Sequence, residues 1–474
     1  MEAAINGWSE TTSASFGQEH FGNCRFGDKR LTHRAVETAD ALLAHPAGTP
    51  PAKLRKAQLL GYYDFVNNDK VEHGKVLAAH YQRTRELMEQ CTGTVVIIHD
   101  TTEADFSGLD IADLGPIGNG SCRGLLVHNV LAVDYQNREA LGLAAQFIHR
   151  RREVPKKETL RQKREDPQRE SRLWLKGVEA VGQVKSEAAV DLRWVNLMDR
   201  GGDTYESLER QLQLGQGVVV RSKCNRNVQV LDRAGRRISR KLHEWARKLP
   251  SLGQRTVAVQ SNGTQSGRDA TVTVASATVW LVPPDNKRGE HGDEALELQV
   301  VRVSEVDPPA GVEPLEWILL TNLPAQKQKQ AWQVVDYYQC RPIIEEFHKA
   351  QKTGCGMEQV QFTTRRALEN TIALLSVVAV QLLRLRDLGR RPDADTLPAE
   401  AVVNPLYVEV LSLWCFKEAR TLGVREFLFA LARLGGHLNR RGDRPPGWLV
   451  LWRGWMELQR LVEGAQLARL KRSG

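Results

Sequence analysis

Apolar residues recur at helical spacing through RLTHRAVETADALLAH and again through KVLAAHYQRTRELMEQ, which predicts helices across residues 28–91. The Pro50–Pro51 pair is expected to break them. Residues 1–75 are therefore expected to form a small helical N-terminal domain. From residue 93 the pattern changes to apolar, β-branched runs bounded by turn residues: GTVVIIHD (93–100), GLLVHNVLAVD (124–134) and ALGLAAQFIHR (140–150) read as three consecutive strands. A helix-like stretch, LWLKGVEAVGQV, leads to DLRWVNLMDRGGD (191–203), where an apolar strand stops at Asp199. The helix SLERQLQL and the strand GVVVRSK continue an α/β order around a mixed sheet. Between about 255 and 325 the runs TVAVQ, ATVTVASATVWLV, LELQVVRV and WILLTN predict a β-rich insertion. Helical periodicity returns at Pro342 and persists to the end, interrupted by RRPDADTLPAE (390–400). The expected division is 1–75, helical; 76–388, α/β with the insertion; and 389–474, helical.

Composition narrows the class. A chain of 474 residues exceeds one ordinary core. With 41% hydrophobic and 26% charged residues, most of it should fold. A net charge of +9 favours a polyanionic partner such as nucleic acid, or marks a merely basic enzyme. Seven scattered cysteines without a C-x-x-C pair fit neither a disulfide framework nor a zinc ribbon, and point to a reducing, cytoplasmic setting. The start MEAAINGWSE has no signal-peptide pattern, and IALLSVVAVQLL (372–383) is too short to span a bilayer, so a buried helix and no membrane partner are expected. Ten Lys/Arg against five Asp/Glu between Arg150 and Arg172 predict a mobile basic loop, either touching nucleic acid or simply solvated. Arg25, Lys29, Arg30 and Arg34 gather around one helix start, suited to phosphate contacts or to a solvated helix face.

Asp100 and Asp199 each end an apolar strand, so their carboxylates are expected at the carboxyl edge of one sheet, where α/β ligand sites lie. Together they can share divalent cations through hard oxygens; singly, each reads equally well as a turn or capping Asp. The third element is YQCRPIIEEFHKAQK (338–352). Read as one helix, it places Tyr338, Arg341, Glu345, Lys349 and Lys352 on one face, with Ile343, Ile344 and Phe347 toward the core and Pro342 as a first helical residue. Glu346 lies about 100° away from Glu345. An amphipathic surface helix with Glu–Lys pairs fits the same spacing.

The order Tyr-x2-Arg-x3-Glu-x6-Lys at 338–352, with HDTT at Asp100, MDRGGD at Asp199, VVRSK, EWILLT, EEFHKAQKTG, ARLGGHLN and the Trp452/Trp455 run, resembles the bacterial DDE transposases of the insertion-sequence-4 family, in the subgroup bearing the Tyr-Arg-Glu-Lys signature. FGDKRLTHR is similar to that family's end-binding helix, whereas 150–172 and 390–400 match it poorly. The resemblance implies a ribonuclease-H-like mixed-sheet catalytic core with a β-rich insertion, a helical DNA-binding N-terminal domain and a helical dimerisation domain. It implies a cut-and-paste transposase: a homodimer in a synaptic complex that binds double-stranded inverted-repeat ends, cleaves them through a hairpin, and joins the 3′-hydroxyls to target DNA. Asp100, Asp199 and Glu345 would hold two Mg²⁺ ions, with Mn²⁺ able to substitute. Tyr338, Arg341, Lys349 and Lys352 would hold phosphates, Trp317 would stack on an extruded base, and Arg221, Lys223, Arg25, Lys29, Arg30 and Arg34 would contact DNA. The competing readings are a ribonuclease-H-like nuclease or resolvase without strand transfer, and a domesticated DNA-binding regulator.

Overall fold

A computed structural model of the chain describes residues 15–44, 49–154, 157–159, 162, 166–184, 191–259, 267–284, 294–389, 391–440, 443 and 445–472. The first ten residues and parts of the basic segment lie outside them. The N-terminal region comprises α1 (Phe16–Phe21), α2 (Lys29–Ala44), α3 (Pro50–Lys53), α4 (Lys56–Val66) and α5 (His73–Gln90). In α2 the residues Ala35, Thr38, Ala39, Leu42 and Leu43 are buried, the stripe expected of an amphipathic helix. Pro50 and Pro51 do not simply break the helices: they open α3, where the missing N–H has no helical partner to lose. The expected boundary at residue 75 falls within the first turn of α5.

Among the described residues twelve strands form one sheet. They are β1 (Thr94–Asp105), β2 (Gly115–Ile117), β3 (Cys122–Asp134), β4 (Glu139–His149), β5 (Arg193–Met198), β6 (Gly217–Arg221), β7 (Asn227–Leu231), β8 (Arg237–Lys241), β9 (Gly253–Val259), β10 (Arg268–Leu281), β11 (Leu296–Glu305) and β12 (Glu316–Thr321). The order is β2-β3-β1-β5-β6-β12-β11-β10-β7-β8, with β4 on β3 and β9 on β10. β1 runs antiparallel to β3 and parallel to β5, which is parallel to β6. The sheet is therefore mixed, flanked by helices at both ends of the chain.

Two expectations change here. The β-rich segment extends the main sheet, because β12 pairs antiparallel with β6 and carries the same sheet onward. It also begins earlier than 255, since the hairpin β7–β8 and α8 (Leu242–Ala246) join it. That hairpin escapes a hydrophobicity reading because β8 is RISRK, almost wholly exposed, and β7 buries only Val228 and Val230. The described part of the basic segment is also tied down rather than loose. Arg151 pairs with Glu170 (2.6 Å) and Glu103 (3.2 Å), Arg152 with Asp166 (2.5 Å) and Glu158, and Arg169 with Glu206 (2.9 Å). Three acids of the segment itself, Glu158, Asp166 and Glu170, and two from outside it, Glu103 and Glu206, pair with those cations.

β1 is apolar at every position from Val95 to Ile98 because both of its faces are covered. Val96 and Ile98 join the core that contains Ile344 and Phe347 of α10 (Ile343–Lys349), while Val95 and Ile97 pack with Met88 of α5 and Val181 of α6 (Arg172–Val181). The helices α7 (Tyr205–Gln213) and α9 (Gln328–Tyr338) complete this α/β region.

α11 (Arg365–Leu388) runs through the core; it is long and apolar enough to cross a membrane by length and composition, yet 88% of its most apolar window is buried inside the protein. Beyond it lie α12 (Pro405–Phe416), α13 (Val424–Leu434) and α14 (Trp448–Arg472). Trp448 docks α14 on α11 by donating from Nε1 to the Leu382 carbonyl (2.9 Å), and its ring stacks on Trp452 at 5.7 Å. α13 and α14 approach backbone to backbone: a Cβ on Gly454 would lie 1.9 Å from the Leu431 carbonyl oxygen, and one on Gly435 2.1 Å from that of Val450. Gly454→Leu is accordingly expected to force the two helices apart and to destabilise the C-terminal helices by about 1–3 kcal/mol. Limited proteolysis should then cut within 424–472 well before the wild type is cut there; equal resistance would show that the crossing can relax. None of the seven cysteines is joined in a disulfide.

Candidate active site

Side chains alternate across a strand, so Asp100 shares a face with Val96 and Ile98. Asp199, immediately after β5, shares one with Val195 and Leu197, and all four apolar residues belong to the same core cluster. Both acids are thereby placed on the α10 side of adjacent parallel strands. Asp100 does not end its strand as expected: β1 continues to Asp105 in antiparallel pairing with β3, and only its parallel pairing with β5 stops at Ile98, so the mostly polar run Asp100–Asp105 is held as strand by β3 alone. Its Oδ1 accepts from Thr101 N (3.0 Å), whereas Asp199 does take the turn role, its Oδ1 accepting from Gly201 N (2.6 Å) and capping the turn Arg200–Gly202.

Residues 338–352 are not one helix. α9 ends at Tyr338 and α10 starts at Ile343, because Pro342 has no N–H to offer the Tyr338 carbonyl and its ring would crowd that oxygen. The Arg341 N–H bonds that carbonyl instead (3.0 Å), which leaves Arg341 on the connecting turn. From there it spans two acids, Nη2 to Asp100 Oδ2 at 3.1 Å and Nη1 to Glu345 Oε1 at 2.7 Å. Ile343, Ile344 and Phe347 are buried as expected, and Glu345 is 51% exposed.

Burial pushes the Asp100 carboxyl up to about 6, against the pull of Arg341, with Asp199 and Glu345 adding repulsion and the Thr101 N–H opposing it. Asp199 and Glu345 are thus both close enough to act electrostatically on Asp100. Burial works against the Arg341 charge, but Asp100, Tyr338 and Glu345 outweigh it and raise the guanidinium further. Burial likewise raises the Tyr338 phenol, opposed by Arg341 and Arg221. Among the described residues no three His, Cys, Asp or Glu side chains converge closely enough to hold a metal ion. Arg341 lies between Asp100 and Glu345.

Beside this group opens a cleft of about 1520 Å³, lined by Arg221, Arg255, Trp317, Tyr338, Arg341 and Lys349 among others. Trp317 on β12 meets Tyr338 edge to face, with ring centroids 5.4 Å apart. Lys352 is directed elsewhere. It lies in the π-helical turn Ala350–Gly354 and pairs with Glu358 (3.0 Å). The wide turn carries Gln351 inward, where its amide meets Asn129 (3.2 Å) and Ser376 (2.8 Å). Lys223 is exposed on the loop after β6, away from the cleft-lining set.

That loop is built by a residue whose role the sequence reading missed. The buried Asp203 carboxylate accepts from Lys223 N (2.6 Å) and pairs with Arg226 (2.6 Å). A second acid in the motif MDRGGD was the available signal. The N-terminal cations separate into two sets. Arg25 and Lys29 line a groove of about 910 Å³ with Lys75, whereas Arg30 pairs with Asp28 (2.9 Å) and Arg34 approaches Glu37 at 3.9 Å.

Chemically, the site offers carboxylate oxygens where the β1–β5 pairing ends, a cation that crosslinks two of them, and a basic, aromatic cleft alongside. Two families match the ends of the chain. A model described as transposase DNA-binding covers residues 13–71, and one described as transposase Tn5 dimerisation domain covers residues 377–473. Asp100, Asp199 and Glu345 lie between the two matched segments. Together the matches support a Tn5-like transposase that binds DNA and pairs with a second copy of itself.

Proposed function

We propose that this chain is a DDE cut-and-paste DNA transposase of the insertion-sequence-4 family, with Asp100, Asp199 and Glu345 as its catalytic acids. The observation that carries the reading is the junction at Arg341, where acids from β1 and α10 meet on the same sheet face as Asp199, between a DNA-binding unit and a dimerisation unit. The antiparallel run β4-β3-β1, continued by parallel β5 and β6, supports reading these strands as a ribonuclease-H-like core.

The donor set suits a hard divalent cation, since it consists of carboxylate oxygens. Burial, joined by repulsion from Asp199 and Glu345, raises the Asp100 carboxyl to about 6 against the pull of Arg341. Two Mg²⁺ ions, or Mn²⁺ in their place, would be held by Asp100, Asp199 and Glu345, supplying Lewis acidity to the attacking and leaving oxygens when bound. The residues around them do the positioning. Arg341, released from one carboxylate, presents a planar fork suited to a phosphate, and Lys349 and Arg221 add positive charge along the same cleft. Trp317 and Tyr338 give an unstacked base a surface to rest on, as a hairpin intermediate requires.

The test is a supercoiled plasmid carrying the element's own inverted-repeat ends, incubated with the purified protein and Mg²⁺. Excised linear DNA with hairpin ends, followed by joining to a target plasmid, is the expected outcome. Cleavage without joining would favour the nuclease reading, and specific binding without any cleavage would favour the regulator. Trp317→Ala is expected to spare the first nick but slow hairpin formation by about 5–150-fold, the worth of roughly 1–3 kcal/mol of base stacking. Equal loss of both steps would show that Trp317 serves the cleft generally rather than an extruded base.

A further inference from the structure

One residue beyond Glu345, the Glu346 carboxylate accepts from Arg386 Nη1 at 3.1 Å. Arg386 lies in the last turn of α11, and its side chain is only 2% exposed. All three of its nitrogens are used: Nε reaches Asp387 Oδ1 (2.5 Å), and Nη2 donates to the Arg138 carbonyl (2.9 Å). The second Asp387 oxygen accepts from Ala140 N (3.2 Å). A single buried guanidinium thus fastens together α10, the end of α11 and the turn between β3 and β4. That turn holds Arg138 at φ 56°, a left-handed conformation disfavoured for a side-chain-bearing residue, and Arg138 lines the cleft.

α10 needs such a fastening. It has seven residues, is bounded by Pro342 on one side and the π-helical turn on the other, and so cannot take its orientation from a long helix axis. Ile343, Ile344 and Phe347 anchor one side of it. The Glu346 contact anchors another. Because Glu345 and Glu346 lie about 100° apart around the axis, fixing Glu346 fixes the direction in which Glu345 leaves the helix. The planar, forked guanidinium makes this a directional restraint rather than a diffuse attraction.

We propose that Arg386 is a positioning residue for Glu345, acting through Glu346. Arg386 also belongs to the segment matched by the dimerisation model, and α13 grips the same helix end through Arg425 Nη1 to the Gly389 carbonyl (3.1 Å). The seating of the C-terminal helices is therefore linked mechanically to the geometry of a catalytic acid. This inference rests on the transposase reading of Asp100, Asp199 and Glu345.

The full-length protein is assayed for Mg²⁺-dependent cleavage of end-bearing plasmid, alongside end binding, oligomeric state and thermal unfolding. Glu346→Ala should lose 10–100-fold in cleavage, roughly the cost of removing an outer partner of a metal ligand, and need more Mg²⁺ for half-maximal rate, with end binding unchanged. Glu346→Gln keeps an acceptor for Arg386 and should recover most of the rate. Arg386→Met should match Glu346→Ala, and the double variant should be no worse than the poorer single one. If Arg386→Met does not fold, the comparison of the two Glu346 variants decides. Wild-type rate and Mg²⁺ dependence in Glu346→Ala, a Gln variant no better than Ala, or losses that multiply in the double variant each overturn the proposal. Glu345→Ala is the control. Normal cleavage by it sinks the site reading itself, whereas an inactive Glu345→Ala beside a fully active Glu346→Ala sinks only the positioning role.

Discussion

Alanine at Asp100, Asp199 or Glu345 is expected to lower cleavage at least about 10³-fold, a loss of about 4 kcal/mol in transition-state stabilisation. End binding should survive, because the N-terminal groove that carries Arg25, Lys29 and Lys75 is built from α1, α2 and α5 and contains none of the three acids. The measurement is paired: gel-shift affinity for end DNA and single-turnover cleavage on the same preparations. Cleavage within tenfold of wild type in any one variant would remove that residue from the site. Simultaneous loss of binding would show damage to the fold rather than to the chemistry.

Acid should begin to destabilise the protein as pH falls below about 6.5, through histidines buried in their neutral form. His80 is buried on α5, accepts from Leu143 N at Nε2 (3.0 Å) and faces His20 Nδ1 across 3.0 Å. Its neutral form is therefore required, with the proton on Nδ1. Burial, helped by the nearby Arg83 charge, pulls its pKa from 6.5 down to about 3. A histidine depressed in the folded state lends stability that is complete above its unfolded pKa and is lost as pH falls from about 6.5 toward about 3. At about 1.36 kcal/mol per pH unit the loss reaches about 2 kcal/mol by pH 5 and about 5 kcal/mol by pH 3. His73, depressed by burial and bonded to Gln146 (2.9 Å), adds in the same direction. Denaturant titrations from pH 7.5 to 5 should show this slope, and His80→Gln, which takes up no proton, should reduce it by about 1.4 kcal/mol per pH unit, the share of the similarly depressed His99, His128 and His348 remaining. An unchanged slope in that variant would place the acid sensitivity elsewhere.

Much of the site was legible along the chain because strand ends and turn chemistry are local. Asp199 could be placed just past a strand end from an apolar run that stops abruptly, and the buried side of α10 from Ile343, Ile344 and Phe347; at Asp100 the apolar run stops but the strand does not, because pairing with β3 carries β1 on to Asp105. What stayed hidden depended on long-range geometry. Pro342 divides residues 338–352, so Arg341 acts from a turn and bridges Glu345 to Asp100, which lies 241 residues before Arg341 in the chain. The outlying strands β7 and β8 are too polar to register in a hydrophobicity pattern, and their hairpin joins the sheet only through the non-local pairing of β7 with β10. Arg386 looked like one more charge after an apolar run, because nothing in its neighbourhood marks it as buried.

The junction of β6 with β12 sets a distance. Met198 lies opposite Val220 on β6, and Val220 lies opposite Leu320 on β12, so Asp199, Arg221 and Trp317 stand on three consecutive strands. At about 4.8 Å per strand, the span from the acid's strand to the tryptophan's is about 10 Å and is fixed by backbone hydrogen bonds rather than by side-chain packing. Loops beyond β8, at the far edge, can lengthen or shorten without altering that span. A slip of one residue in β12 cannot, since it would turn Trp317 to the opposite face. The sheet serves as the site's measuring rod, and its register is the dimension least free to change.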